Sequence, residues 1–158
     1  MSREPHLYVD ADACPVKVEA ARVAERHGLA LTYVANAWMQ IPRGPRFRMQ
    51  VVTGAFDAAD DWIAAQVVPA DVVITADIPL ASRCLKQGAY VLGPSGKPFT
   101  NDNIGNALAT RELMADLRAY GVGGGPPPFG PRDRSRFLEA IERVVRAARR
   151  DRGTATGA

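Results

Sequence analysis

The stretch LYVDADACPVK, residues 7–17, sets a greasy run against two aspartates, Asp10 and Asp12, and follows them at once with Cys14 and Pro15. His6–Ala11 reads as a short buried strand. Pro15 suits the first turn of a helix, where its missing N–H costs nothing. A strand therefore gives way directly to a helix, and two carboxylates stand at the junction. Charges at the end of a buried strand are costly unless they are well bonded or put to use.

The alternation continues outward from that point. Val16, Ala20, Val23, Ala24 and His27 recur at helical spacing, and Gly28 is a terminator. Leu29–Ala35 is a second apolar run, ending at Asn36 and followed by the basic loop IPRGPRFR. Met49–Thr53 reads as a third strand, closed by Gly54. A helix is expected over 57–67 with Phe56, Ala59, Ile63 and Val67 as its apolar face. DVVIT, residues 71–75, is a fourth strand, leading to a helix over about 79–87 and a fifth short strand at 89–92. GPSGKPFT reads as a loop. The helix expected over 103–120 is apolar on nearly all sides, which predicts burial against two neighbours. GVGGGPPPFGP, residues 121–131, excludes regular structure. Beyond it Phe137, Leu138, Ile141, Val144, Val145 and Ala148 form one helical stripe. Glu139 stands four before Arg143, and Glu142 four before Arg146, the favourable order for helix ion pairs.

Strands alternating with helices predict an α/β fold: a single three-layer domain over 1–150 around a mostly parallel sheet of about 4–5 strands, then a disordered tail over 151–158. In such sheets ligands bind beyond the carboxyl ends of the strands. Applied here, that rule gathers acids. Asp10 and Asp12 close the first strand, Asp77 follows the fourth, and Asp57, Asp60 and Asp61 open the helix after the third, sharing a face by their spacing. Two such charges at 4 Å repel by about 4 kcal/mol at an effective dielectric near 20. Protons, cationic side chains or a divalent ion must offset this. An all-oxygen donor set favours a hard cation, Mg²⁺ or Mn²⁺, working on a phosphate. The plainer readings are that Asp57 and Asp77 cap helices, with Asp60 and Asp61 favoured by the helix dipole. Asp71 reads as a turn residue. Lys17, in the first turn after Pro15, is placed to neutralise the acids or touch a phosphate. Cys14 reads as a buried helix-start residue and Trp38 as a packed indole.

Composition bounds the class. The 158 residues are 47% hydrophobic and 23% charged, as in a globular protein, and hold no run long enough to span a membrane. The polar start carries no secretory pattern, so the cytoplasm is the expected compartment. Two cysteines 70 residues apart, Cys14 and Cys84, form no zinc framework and predict free thiols and no disulfide-linked partner. The net charge of +3 is uneven: residues 132–152 hold eight arginines against four acids, a balance of +4 that leaves about −1 elsewhere. A basic segment beside an acidic body points to a polyanion partner.

The strings YVDADACPVK, VAN (34–36), GAFDAADDWI, DVVITADIPLA and RDRSRF, in this order over nearly the whole chain, resemble the YaiI/YqxD family of uncharacterised bacterial proteins. That resemblance implies a PIN-like domain, a nuclease scaffold in which strand-end acids bind Mg²⁺ or Mn²⁺ for RNA hydrolysis. By that likeness Asp10 and Asp77 would be the strand-end acids and Asp57 or Asp60 the intermediate carboxylate. Asp12 belongs to the family's own motif.

Three functions follow. The first is a metal-dependent ribonuclease or phosphodiesterase, with Asp10, Asp12 and Asp77 catalytic and Asp57 and Asp60 joining them as metal ligands. Lys17, Asn36, Thr75, Arg43, Arg46 and Arg48 would then bind substrate, with the C-terminal arginines also available to backbone phosphates. The second is a non-catalytic module binding RNA or protein. The third is a phosphatase resembling the haloacid dehalogenases, with Asp10 as nucleophile, Asp12 as acid/base, Thr75 as strand-end hydroxyl and Lys86 or Lys97 as the lysine. That reading requires a further acidic pair after a later strand, which AYVLGPSG does not supply.

Overall fold

The unbroken apolar runs form the inner strands of a doubly covered sheet. The computed structural model describes residues 4–123 and 128–156, with side chains through 152. Strands β1 (Leu7–Asp10), β2 (Leu31–Ala35), β3 (Phe47–Val51), β4 (Val72–Ile74) and β5 (Tyr90–Leu92) lie parallel, and β6 (Pro98–Phe99) returns antiparallel to β5. The order is β3-β2-β1-β4-β5-β6. The sixth strand departs from the sequence reading of GPSGKPFT as a loop. Two residues of strand in a Gly/Pro-rich turn give no periodicity to detect.

Alternation along each strand sorts the core into two halves. Leu7, Val9, Leu31, Tyr33, Val72, Ile74 and Leu92 face one side, covered by helices α1 (Lys17–His27) and α5 (Pro131–Thr156). Tyr8, Val34, Val73 and Val91 face the other, covered by α2 (Ala58–Gln66) and α3 (Ile78–Lys86). This is a three-layer, PIN-like α/β domain. At about 25 cal/mol per Å² of apolar surface, each fully buried aliphatic side chain in these layers contributes about 1.5–3 kcal/mol. Local chemistry sets the helix limits. Gly28 ends α1 in a left-handed conformation at φ +68, and the Asp77 carboxylate caps α3 through the Leu80 N–H at 2.8 Å.

Three expectations are corrected. Helix α4 (Ile104–Ala119) has no buried residue, and Leu113 and Met114 are exposed. It lies outside α3, because α1, α5, α2 and α3 already cover both faces of the sheet. The tail expected from 151 is helical as far as Thr156. A formed helix adds a hydrogen bond for each further residue, and two side chains tie this end down. Asp151 accepts from the Tyr90 hydroxyl, and Arg152 pairs with Asp71 at 2.9 Å. Residues 157 and 158 lie outside the described residues, as do 124–127 of the expected loop. Finally, α5 pairs Glu142 with Arg146 at 3.8 Å, but Glu142 also bonds Arg26 and His27 of α1, and no bond joins Glu139 to Arg143 among the described residues.

Candidate functional site

Strand order reverses at β1: β2 and β3 build outward on one side, and β4 begins on the other. The carboxyl ends of β1 and β4 therefore flank the switch point, where an open α/β sheet leaves a crevice. Asp10 ends β1 and is half-buried there. Thr75, the first residue beyond β4, is 1% exposed. Its hydroxyl donates to Asp10 Oδ2 at 2.7 Å and accepts from the Asp77 N–H at 2.9 Å. One buried hydroxyl thus orients Asp10 and shapes the turn that carries Asp77. With Asp77 Oδ1 committed to its helix cap, Asp10 Oδ1 and Asp77 Oδ2 make no bond to a backbone N–H or a hydroxyl among the described residues.

Helix α2 brings the third carboxylate. Asp60 bonds the Asp77 carboxyl and is pushed up to about 6, first by burial, then by the charges of Asp77 and Asp10. Asp10 is raised as well, mainly by burial, against the lowering effect of Thr75. Asp10, Asp60 and Asp77, from three separate elements, thus form one electrostatic cluster. Among the described residues no lysine or arginine forms an ion pair with any of them.

The other acids separate. Asp12 is exposed, and its Oδ2 accepts the Asn36 N–H at 3.1 Å, tying the end of β2 to the turn after β1. It contributes charge to Asp10 from the rim. Asp57 is exposed and makes no side-chain cap to α2, so the capping reading of this residue fails while that of Asp77 holds. Asp61 does not join Asp60. It turns outward and pairs with Arg83 of α3 at 2.6 Å. Adjacent helical positions point about 100° apart, so only one of the two reaches the sheet edge.

The turn between Asp12 and Cys14 is strained: Ala13 sits at φ +58, a conformation costing an L-residue about 1–2 kcal/mol. Lys17 donates from Nζ to the Cys14 carbonyl at 2.9 Å, so it braces the same turn. Burial raises the Cys14 thiol and pushes Cys84 up to about 12. Both are inert packing groups.

The basic loop does not reach this edge. Arg46 lies against Gly28 and lines a cavity with Glu4 and His6 at the amino end of the sheet. Arg48 on β3 pairs in register with Thr32 of β2, and Arg43, exposed, lies just ahead of Arg46. Because β2 and β3 are parallel, the connection has to return the length of the sheet before β3 starts. The loop arginines thereby end up away from the acids. Lys86, at the last turn of α3, is carried to the amino end for the same reason. Two aromatics depart from expectation in the opposite sense. Trp38, expected to pack, is 72% exposed, and Phe56, expected on the apolar face of α2, is 100% exposed. Trp38 is two residues beyond Asn36 and Phe56 is next to Asp57, so both flank the acidic edge.

A hard divalent ion fits this donor set in one manner. Among the described residues, no group of three or more His, Cys, Asp or Glu side chains is placed to hold a metal by itself. That excludes a closed protein cage. Mg²⁺ does not need one: it typically keeps several waters and binds through one or two carboxylates together with substrate phosphate. Asp10 Oδ1 and Asp77 Oδ2, which accept from no backbone N–H or hydroxyl among the described residues, match that demand, with Asp60 beside them.

Among the described residues, no helix is long and apolar enough to cross a membrane. Residues 8–147 match the family model described as "Uncharacterized BCR, YaiI/YqxD family". A UPF0178 protein of Rhodopseudomonas palustris (strain TIE-1) is 53% identical, over 95% of this chain and 96% of its own. UPF0178 proteins of Nitrobacter winogradskyi and Rhodospirillum rubrum are 56% and 54% identical, covering 91% and 92% of this chain and 92% and 99% of theirs. No solved structure matches. With a turn after β1, a hydroxyl after β4 and a capping aspartate that all fall inside the matched span, the chain belongs to the YaiI/YqxD family of UPF0178 proteins.

Proposed function

We propose that this protein is a divalent-metal-dependent phosphodiesterase acting on RNA, with Asp10, Asp60 and Asp77 at its centre. One observation carries the reading. Three carboxylates from three elements meet at the sheet's switch point, with Asp10 and Asp60 raised in proton affinity and no cationic side chain paired to the three among the described residues. A structural cluster would be neutralised by the fold; this one is left for a ligand.

Asp10 and Asp77 would hold Mg²⁺ or Mn²⁺, with Asp12 and Asp57 reaching it through water from the rim. The ion would supply polarisation of the phosphoryl oxygen and a water activated for in-line attack. Thr75 keeps Asp10 in place through its 2.7 Å bond. Asp60, raised by burial and by the charges of Asp77 and Asp10, stands beside those carboxylates, where it would meet the proton of the attacking or leaving oxygen. Asn36 and Lys17 serve by fixing the backbone around Asp12 and Cys14. A non-catalytic RNA-binding module is favoured by one observation only, that no three-ligand set is preformed among the described residues. The phosphatase reading loses Lys86 to the far edge but keeps Lys97, which lines a groove with Ile78; it finds no acid at the end of β5.

The decisive experiment titrates the protein with Mg²⁺ and Mn²⁺ and offers single-stranded RNA, single-stranded DNA and a phosphomonoester, beside Asp10→Asn. Metal-dependent RNA cleavage lost in Asp10→Asn is expected. Binding of RNA without cleavage would leave the module, and turnover of the monoester alone would leave the phosphatase.

A further inference from the structure

A second feature of the same sheet edge carries charge of the opposite sign. The β5–β6 turn closes on itself, with Gly93 N–H bonding the Lys97 carbonyl at 2.9 Å and Gly96 N–H bonding the Gly93 carbonyl at 3.0 Å. Gly96 stands at φ +88, and a Cβ there would lie 2.6 Å from the Arg136 carbonyl carbon. Only glycine lets the turn seat against the backbone of α5. That close approach brings Lys97 beside Arg136 and Arg143, and with Ser95 they line an open cavity of about 380 Å³.

Two acids share the cavity wall. Asp133 is engaged in capping α5, accepting the Gly130 N–H at 2.9 Å. Glu139 is the other, and it pairs with none of the three cations. Three cations therefore face two carboxylates, and no ion pair consumes any of the three among the described residues. Arginine side chains held this way are suited to the forked recognition of phosphate oxygens.

Position gives the cavity its role. β5 lies beside β4, and the turn after β5 opens on the edge where Asp77 ends its own turn. Lys97 also lines the neighbouring groove with Ile78, the residue next to Asp77. An anion bound by Lys97, Arg136 and Arg143 is thus adjacent to the carboxylate cluster and separate from it. We propose that this cavity is a subsite for a non-scissile phosphate of single-stranded RNA, anchoring the strand whose neighbouring diester reaches Asp10 and Asp77. The subsite rests on the reading of the acidic edge as a phosphodiesterase centre for RNA.

The test separates the two ideas by measuring binding without turnover. Full-length Asp10→Asn protein, in EDTA, is titrated into a fluorescent single-stranded RNA oligonucleotide over a range of salt. Adding Lys97→Ala, Arg136→Ala and Arg143→Ala is expected to weaken binding by about tenfold or more. It should also flatten the log K against log salt slope by roughly 0.7 for each phosphate no longer neutralised. Arg22→Ala with Arg118→Ala, exposed arginines on α1 and α4, should leave both readings unchanged; circular dichroism verifies that each variant folds. Retained affinity and slope in the pocket variant, equal weakening in the control, or no RNA binding by the parent each overturns the subsite. Inorganic phosphate is the second probe. If it raises the parent's Tm through these residues while RNA affinity ignores them, the cavity takes free phosphate and the RNA subsite is overturned. Wild-type protein that binds RNA through the pocket yet never cleaves it with metal would defeat the proposed activity and leave the subsite standing.

Discussion

Asp60→Asn removes one charge from the cluster and leaves its shape. Asp60 is pushed up from 3.8 to about 6 by burial and by its acidic neighbours, so between those values the folded protein binds a proton that the unfolded chain releases. Stability contributed by this group is therefore lost as pH rises through that window, and the loss is complete above about 6. At about 1.36 kcal/mol per pH unit the unscreened penalty is about 3 kcal/mol. Asp60 is half-exposed, and solvent screening leaves about 1 kcal/mol of it. Asparagine keeps a donor for the Asp77 carboxyl and carries no charge. The variant should melt about 2–4 °C above the parent near neutral pH, the shift expected of about 1 kcal/mol in a domain of this size. The gain should shrink as pH falls through the window and vanish below it. Millimolar Mg²⁺ should stabilise the parent more than the variant, because an ion relieves the repulsion that asparagine has already removed. Paired thermal melts across pH, with and without Mg²⁺, read all of this. A variant less stable than the parent near neutral pH, or a gain constant with pH, would refute the reasoning.

Three further outcomes are expected. Arg152→Ala takes this cation from Asp71, which is 0% exposed and also accepts from the His6 and Val68 N–H groups; a loss of about 2–4 kcal/mol should appear as a lower urea midpoint, and a change under about 0.5 would show that Asp71's other partners suffice. Gly96→Ala places a methyl 2.6 Å from α5 backbone at φ +88 and should cost about 2–4 kcal/mol in thermal unfolding, against which full tolerance would deny the close approach. Ala13→Val, at φ +58 on an exposed turn, puts a β-branched side chain where such residues are outliers and should be destabilising, while Ala13→Gly relieves the strain and is not destabilising, and equal stability of all three proteins would argue against the strained turn.

The parts of the fold written in local periodicity were legible. DVVIT and LYVD are buried on both faces, and their continuous apolarity marks them as inner strands. Once the strands are placed, the strand-end rule locates Asp10 and Asp77 without a structure. What failed depended on partners distant in sequence. The spacing of Asp57, Asp60 and Asp61 puts them on one helix face, yet Arg83 from the next helix claims Asp61 and Asp77 claims Asp60. Arg46 follows Asn36 by few residues, but a parallel connection carries it to the other end of the sheet. Helix α4 is apolar enough for a core, and only the occupation of both sheet faces by other helices leaves it outside. Ala13 carries no sequence signal of a left-handed turn at all.

Helix α5 follows every strand and completes a core that the strands began. Its bonds from Arg134 to Glu19 and from Glu142 to Arg26 span 115 and 116 residues. Phe137, Ile141 and Val145, each 0% exposed, pack on the face that holds Leu7, Val9 and Leu31. Until those residues dock, the part of that face not covered by α1 is open to water, and long-range closure of this kind is the slow part of folding. A chain caught before that step carries a sheet with one face only partly covered by α1, the sort of surface on which unfolded neighbours adhere. Refolding yield should therefore fall as protein concentration rises, and it should fall most when docking of α5 is slowed.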